Sequence, residues 1–203
     1  MRLNYIPFFL SLTLFACTEA RAPDQTGSGG AKAGCDTRAF AEIGGPVSLL
    51  SSTGARVTEA DFKGRASLVY FGFTYCPDIC PMTLVTLNKA LQSLPASIDP
   101  PLTLLISIDP ERDTPDAMAE YISLDAFPDD IVGLTGTQEE IKAAADVFKS
   151  GYSRIDQPDS LAGYTMDHTS IIYLMDENWQ LQTFFTHDAT AGDIADCLAY
   201  HFG

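Results

Sequence analysis

Basic residues are scarce in this chain of 203 residues: 12 Lys and Arg stand against 27 Asp and Glu, which gives a net charge of -15. Nucleic-acid binding relies on a basic surface that neutralises phosphates, so the composition argues against a nucleic-acid partner. Long apolar runs are also lacking, because the uncharged run at 3–16 is too short to span a bilayer as a helix. With 46% hydrophobic residues, the composition is that of one globular domain plus a tail.

The first residues nevertheless predict export. Arg2 precedes the uncharged run at 3–16, which has the size of a signal-peptide hydrophobic region. Leu14-Phe15-Ala16-Cys17 is similar to the bacterial lipobox, in which the Cys is lipidated and becomes the first mature residue, although Phe15 is bulkier than is usual there. Cleavage after Ala22 is the alternative. We expect a signal peptide at 1–16 and a lipidated Cys17 that anchors the protein at the periplasmic side of a membrane.

The segment that follows predicts a tether. Residues 18–34 are rich in Gly and Ala, include Ser and Pro, and contain almost no large apolar side chain. We therefore expect the lipidated Cys and a flexible tether at 17–42, and one folded domain at 43–203, without internal repeats. Outside the cytoplasm, both disulfides and thiol chemistry are possible.

Strand and helix patterns alternate along the domain. Continuous apolar runs at 68–73 and 102–108 predict strands buried on both faces. Further strands are predicted at 131–134, 171–175 and 181–185, and helices after Cys80, from Thr114, at 139–148 and at 191–201. The apolar segments around the turn at 51–54 predict an N-terminal β-hairpin. Together these elements predict an α/β fold with a mixed central sheet flanked by helices.

A pair of cysteines marks the junction of the first buried strand with its helix. Cys76-Pro77-Asp78-Ile79-Cys80 is a C-x-x-x-C motif, which a right-handed crossover places at the carboxyl edge of the sheet. Unpaired N–H groups at a helix N-terminus stabilise thiolates. Such a pair is able to close to a disulfide or to hold a soft metal ion.

Three histidines are candidates for a further ligand. His168 directly precedes the strand predicted at 171–175, in a loop that is able to reach the sheet edge. From the residues alone, a metal ligand and an ordinary hydrogen-bonded loop His both remain open for it. We expect His187 to be exposed in a turn and His201 to pack on the last helix.

Three segments together resemble the SCO/SenC family. These segments are YCPDICP at 75–81, SIDPERDTP at 107–115 and DHTS at 167–170, and the resemblance covers about residues 43–203. The family consists of thioredoxin-fold copper proteins that assist the assembly of cytochrome c oxidase. The resemblance implies a thioredoxin-like fold and one copper ion per chain, as Cu(I), Cu(II) or both, bound by Cys76, Cys80 and His168.

The resemblance also implies two activities at one site. The first is delivery of copper to the dinuclear site of cytochrome c oxidase subunit II. The second is reduction of a disulfide in the target, with Cys76 as the attacking thiol and Cys80 as the resolving thiol. Other copper chaperones or thiol reductants are further possible partners. A general extracytoplasmic thiol–disulfide oxidoreductase and a redox or copper sensor are the alternatives, whereas the lack of a basic residue near Cys76 argues against peroxide chemistry.

Neighbouring residues have less direct roles. We expect Asp78 to shape the loop and Met82 to pack on its helix or lie at the surface. The segment that contains Asp109, Arg112 and Asp113 is expected to be structural, since Asp-Pro and Thr-Pro mark a turn and a helix start.

Two further cysteines have no place in the family pattern. Cys197 lies on the apolar face of the last predicted helix, where a buried free thiol is one interpretation. The other is a disulfide between Cys35 and Cys197 that fastens the end of the tether to the domain.

Overall fold

The computed structural model describes Met1, Cys35 and residues 42–203. The predicted signal peptide at 1–16 and the lipidation site Cys17 lie outside the described residues, apart from Met1, and so does most of the tether. Within the described part, no helix combines the length and the apolarity that a membrane span requires.

The described residues form nine strands and four helices, in an order that follows the predicted alternation. The strands are β1 Ser48–Ser51, β2 Arg56–Thr58, β3 Ser67–Gly72, β4 Leu102–Ser107, β5 Ile131–Thr135, β6 Tyr152–Asp156, β7 Tyr164–His168, β8 Ile171–Met175 and β9 Leu181–Thr186. The helices are α1 Ile79–Gln92, α2 Pro115–Ile122, α3 Gln138–Phe148 and α4 Ala191–Phe202. Every predicted strand and helix of the domain is present, with ends shifted by one or two residues.

Seven strands form one mixed sheet in the order β2-β1-β5-β4-β3-β8-β9. Strands β3, β4 and β5 are parallel, whereas β8 and β9 pair antiparallel at one side and β1 and β2 at the other. All six residues of β3 are buried because this strand lies inside the sheet and both of its faces are covered. The predicted mixed sheet and the N-terminal hairpin are therefore confirmed.

Helices cover both faces of this sheet. Successive side chains of β3 alternate between faces: Tyr70 lies beside Cys80 of α1, while the ring of Phe71 is 5.5 Å from that of Phe148 in α3. Helix α4 packs against α1. The starts of α2 and α4 carry Thr caps, since Thr114 and Thr190 accept hydrogen bonds from backbone N–H groups in their first turns.

The β6–β7 hairpin is an addition that the sequence pattern did not predict. Strand β6 is exposed over most of its length and contains Ser153, Arg154 and Asp156, so it lacks an apolar face that would reveal it. The hairpin corrects the predicted position of His168, which ends β7 and pairs with Tyr152 rather than lying in a loop.

Cys35 and Cys197 form a disulfide in the structure, with their Cα atoms 5.5 Å apart. Cys197 is on the inner face of α4 and is fully buried, and Cys35 is 5% exposed. His201 also contacts this segment, because its Nε2 atom lies 2.9 Å from the carbonyl oxygen of Cys35. The disulfide thus fastens Cys35 to the last helix of the domain.

Removal of this disulfide is predicted to destabilise the fold substantially. The bond closes a loop with a sequence separation of 162 residues, for which the chain-entropy model gives about 5 kcal/mol. We expect the Cys35→Ala/Cys197→Ala variant to lose several kcal/mol of unfolding free energy in urea, whereas Cys76→Ala/Cys80→Ala loses much less. Rapid alkylation of Cys35 or Cys197 in the native, non-reduced protein would show that the bond is absent.

Candidate metal and redox centre

Both cysteines of the C-x-x-x-C motif lie at the junction between β3 and α1. Cys76 is half-buried in the connecting loop, and Cys80 is fully buried in the first turn of the helix. The backbone N–H of Cys80 donates to the Sγ atom of Cys76 over 3.3 Å. The two sulfurs therefore face each other at a helix N-terminus, at the carboxyl edge of the parallel strands, as the sequence predicts.

His168 reaches the pair from β7. Its Nε2 atom is 3.8 Å from the Sγ atom of Cys80, and its Nδ1 atom lies 3.3 Å from the carbonyl oxygen of Thr169. The rings of Tyr70 and Phe73 each make an edge contact with the imidazole, with centroids 6.1 Å apart in both cases. These contacts fix the ring so that Nε2 points at the sulfur.

The donor atoms suit a soft metal ion. Two sulfurs and one imidazole nitrogen form the ligand type that thiophilic ions prefer. In a tetrahedral site with bonds of about 2.3 Å to sulfur and about 2.0 Å to nitrogen, these two ligand atoms lie about 3.5 Å apart. The observed 3.8 Å is close to that separation. Among the described residues, no group of three or more His, Cys, Asp or Glu is already arranged to hold a metal ion, so Cys76, Cys80 and His168 would have to move closer together to hold one.

The two thiols differ in acidity. The pKa of Cys76 is lowered to about 4, mainly because the Cys80 side chain donates a hydrogen bond to its sulfur, and further because of His168 and the backbone amides of Cys80 and Asp78. The pKa of Cys80 is raised, first by that same hydrogen bond and then by burial and by the negative charge of Cys76. Cys76 is thus the thiolate and the more accessible sulfur.

A buried carboxylate holds the cysteine loop on the sheet. The Asp113 carboxylate accepts 2.6 Å hydrogen bonds from the hydroxyls of Thr74 and Ser107, and it also accepts from the backbone N–H of Thr74. Burial raises the pKa of Asp113, against these hydrogen bonds. Asp113 starts no helix itself. It connects Thr74 in the cysteine loop to Ser107 at the end of β4. The sequence suggested only that the segment containing Asp113 marks a turn and a helix start.

Arg112 connects the same region to the hairpin that carries His168. Its guanidinium lies 3.7 Å from the ring centroid of Tyr164 and 4.5 Å from that of Tyr75. It pairs with the Asp109 carboxylate and donates to the backbone carbonyl of Tyr164 over 3.1 Å. Tyr164 in turn donates its hydroxyl to Asp109 over 2.7 Å. We call this cluster of Asp109, Arg112, Tyr75 and Tyr164 the clamp. The sequence did not predict it, because its aromatic members are far apart in the chain.

The remaining candidates lie outside the centre. Asp78 is exposed, and its backbone groups rather than its carboxylate act at the helix start. Met82 is 57% exposed on α1, in agreement with the expected surface position. His187 is exposed in the turn after β9, as expected, and His201 contacts Cys35.

The comparisons with known proteins all point to one family. A family model described as SCO1/SenC matches residues 35–202. Protein SCO1 homolog, mitochondrial, from Homo sapiens is 40% identical over 161 residues, which cover 78% of this chain and 52% of the human protein. Protein SenC from Rhodobacter capsulatus is 42% identical, with 79% and 71% covered. This chain therefore spans about half the length of the human relative.

A solved structure agrees with these relatives. The copper-bound crystal structure of ScoI from Arabidopsis thaliana superposes with a TM-score of 0.73 at 36% identity, over 78% of this chain and 96% of that one. This likeness confirms the expected thioredoxin-like α/β fold.

Alkylation of Cys76 by iodoacetamide is predicted to be nearly independent of pH above about pH 6. Because its pKa is lowered to about 4, the thiolate persists as the pH falls and is lost only as the pH approaches that value. In Cys80→Ala the thiol donor is gone, so the pKa of Cys76 should rise and the rate should climb between about pH 6 and pH 9. A wild-type rate that climbs in the same way would contradict the assignment.

Replacement of Arg112 by Lys keeps the charge but removes the planar group from between two rings. Arg112 is only 14% exposed, and a desolvated cation–π contact contributes about 1–2 kcal/mol, so we expect Arg112→Lys to lower the unfolding free energy by about that amount in urea. Arg154→Lys is the matched control, because Arg154 also lies 3.7 Å from the Tyr164 ring but is 48% exposed. Equal losses in both variants would count against the clamp.

Proposed function

This chain belongs to the SCO1/SenC family, and we propose that it binds copper through Cys76, Cys80 and His168 and delivers it during the assembly of cytochrome c oxidase. The observation that carries the proposal is that these three residues come together from the cysteine loop, α1 and β7. The copper bound by the related ScoI from Arabidopsis thaliana supports it. Copper is here the cargo of the protein rather than a catalyst that it keeps.

The proposed ligands favour Cu(I) and are also compatible with Cu(II). Thiolate ligands select the cuprous ion, and an imidazole is suited to both oxidation states. Cys76 is already a thiolate, so binding has to displace only the proton of Cys80. His168 is held by aromatic contacts and needs little reorganisation.

Delivery is proposed to proceed by ligand exchange with the dinuclear copper site of cytochrome c oxidase subunit II. Cys76 is half-buried, whereas Cys80 is fully buried, so an incoming thiolate of the target is able to replace Cys76 first. Tyr75 and Met82, 59% and 57% exposed, border the loop and offer apolar contacts to the target. An anchor at Cys17 would hold this exchange at the periplasmic face of the membrane.

A second activity is favoured by the unequal acidity of the two thiols. The Cys76 thiolate attacks a disulfide of the target, a Cys76–target disulfide forms, and one target thiolate leaves. Cys80, after losing its proton to solvent or to that leaving thiolate, then attacks the Cys76 sulfur and releases the second target thiolate. The target gains two electrons, and Cys76 and Cys80 become a disulfide. A thiol reductant outside the cytoplasm must then reduce this pair.

We expect the reduced protein to bind one Cu(I) per chain under anaerobic conditions. Cys76→Ser, Cys80→Ser and His168→Ala should each weaken binding by more than the 10–100-fold that is typical of outer-shell partners. Competition with a chromophoric Cu(I) chelator measures the affinity, and a Cu(II) titration followed by absorption measures the second oxidation state. His187→Ala is the control, since this His is exposed in the turn after β9 and is not one of the proposed ligands.

Transfer to purified subunit II copper domain, monitored by the absorption of its dinuclear site, tests delivery itself. Weak copper binding that His168→Ala leaves unchanged would refute the copper proposal. If such a protein reduced disulfides with turnover, it would be a general thiol–disulfide oxidoreductase. If it neither transferred copper nor turned over, it would fit the sensor alternative.

A further inference from the structure

The hydroxyl of Tyr70 is an unusual group in the core beside the candidate centre. Tyr70 lies in the middle of β3 and is fully buried. Its hydroxyl oxygen is buried as well and finds no hydrogen-bond partner among the described residues. A buried donor without a partner lowers stability, so a Phe at this position would suit the metal-free fold at least as well.

The hydroxyl is nevertheless surrounded by the residues of the centre. The side chains of Cys80 and Thr83 lie nearest to it, and the charge of Cys76 acts on it as well. A Cβ atom built on Gly72 would lie 3.2 Å from both the Sγ atom of Cys80 and the Cε1 atom of Tyr70, so the two side chains meet over Gly72. The Tyr70 ring also makes the edge contact with His168. One side chain thus touches two of the three proposed ligands.

The metal-free centre offers the hydroxyl only neutral side chains, the Cys80 thiol and the Thr83 hydroxyl, and neither makes a hydrogen bond of normal geometry with it. In the reduced protein Cys80 is a thiol that donates its proton toward Cys76, and a neutral thiol sulfur is a weak acceptor. Once a metal replaces that proton, the sulfur carries negative charge, and hydrogen bonds to charged acceptors are much stronger. Cys80 is fully buried, so water cannot readily supply such a bond.

We propose that Tyr70 is a positioning residue whose hydroxyl donates a hydrogen bond to the Cys80 sulfur when that sulfur binds a metal ion. This inference rests on the proposed role of Cys80 as a ligand. The hydroxyl is unpaired in the metal-free protein and paired in the loaded one. Tyr70 therefore shifts the balance toward the loaded state and holds the buried sulfur in place while Cys76 exchanges with a target.

The substitution Tyr70→Phe has opposite expected effects on the two states. It removes one oxygen atom and preserves the ring packing against His168. The urea midpoint of the reduced, metal-free chain should be unchanged or higher, because an unpaired buried hydroxyl is lost. Affinity for the metal should fall about tenfold, the cost of one hydrogen bond to a charged acceptor. A residue with only a structural role would lower both.

The experiment uses the purified full chain and two probes. Cu(I) affinity is measured anaerobically by chelator competition, and Cd(II), a thiophilic ion without redox chemistry, is titrated by its sulfur-to-metal absorption. In the Cu(II) form, the thiolate-to-copper band should move to longer wavelength in Tyr70→Phe, because the sulfur loses a hydrogen bond. Thr103→Val is the matched control: the Thr103 hydroxyl is also buried and unpartnered among the described residues, but Thr103 pairs with Leu68, at the end of β3 away from Cys80.

The outcomes separate this inference from the proposed function. If the wild-type chain binds Cd(II) but not copper, the copper proposal fails while the Cd(II) affinities still decide the role of Tyr70. Affinities of Tyr70→Phe within twofold of wild type, or a loss that Thr103→Val reproduces, would overturn the inference. So would a lower urea midpoint that accounts for the weaker binding, or a wild-type chain that binds neither ion.

Discussion

The Cys80 thiol donates a hydrogen bond to the Cys76 sulfur at the first turn of α1, and the groups around this pair act by holding that arrangement. The bond divides the roles of the two residues: one sulfur is charged and accessible, and the other is protonated and buried. Helix N–H groups add to the asymmetry because they face Cys76. A thiolate that accepts a hydrogen bond from a neighbouring thiol is suited both to binding a soft metal ion and to attacking a disulfide.

Three chain segments must meet for this centre to exist, and each is fixed by a different type of contact. Asp113 ties the cysteine loop to β4 through hydroxyl and amide donors. Arg112 connects the β4–α2 loop to the hairpin by stacking on Tyr164. Aromatic contacts then orient His168. A buried carboxylate is costly in itself, and its use here is consistent with a loop that has to stay in place during the proposed ligand exchange at Cys76.

The sequence predicted the layers of the fold better than the details of the centre. The runs at β3 and β4 are continuous and apolar, and the apolar residues of the helices recur at regular spacing. The local sequence pattern therefore predicts the α/β alternation. The exposed strand β6 has no such pattern, and the hairpin with His168 in its last position was therefore missed. The family resemblance implied the three proposed ligands, whereas the residues alone left the role of His168 open. The part played by Asp113 and by Arg112 depends on long-range contacts with Thr74, Tyr75 and Tyr164, which no local pattern encodes.

The same chain keeps two cysteine pairs in different redox states, and burial explains how they stay apart. Thiol–disulfide exchange requires a thiolate to reach a sulfur of the disulfide. Cys197 is fully buried on α4 and Cys35 is 5% exposed, so the reactive Cys76 of the same or another molecule has no ready access to their bond. The Cys76–Cys80 pair, by contrast, presents its charged sulfur at the sheet edge. Selectivity between the structural bond and the proposed reactive dithiol thus follows from where α1 and α4 place their sulfurs, without any difference in the chemistry of cysteine itself.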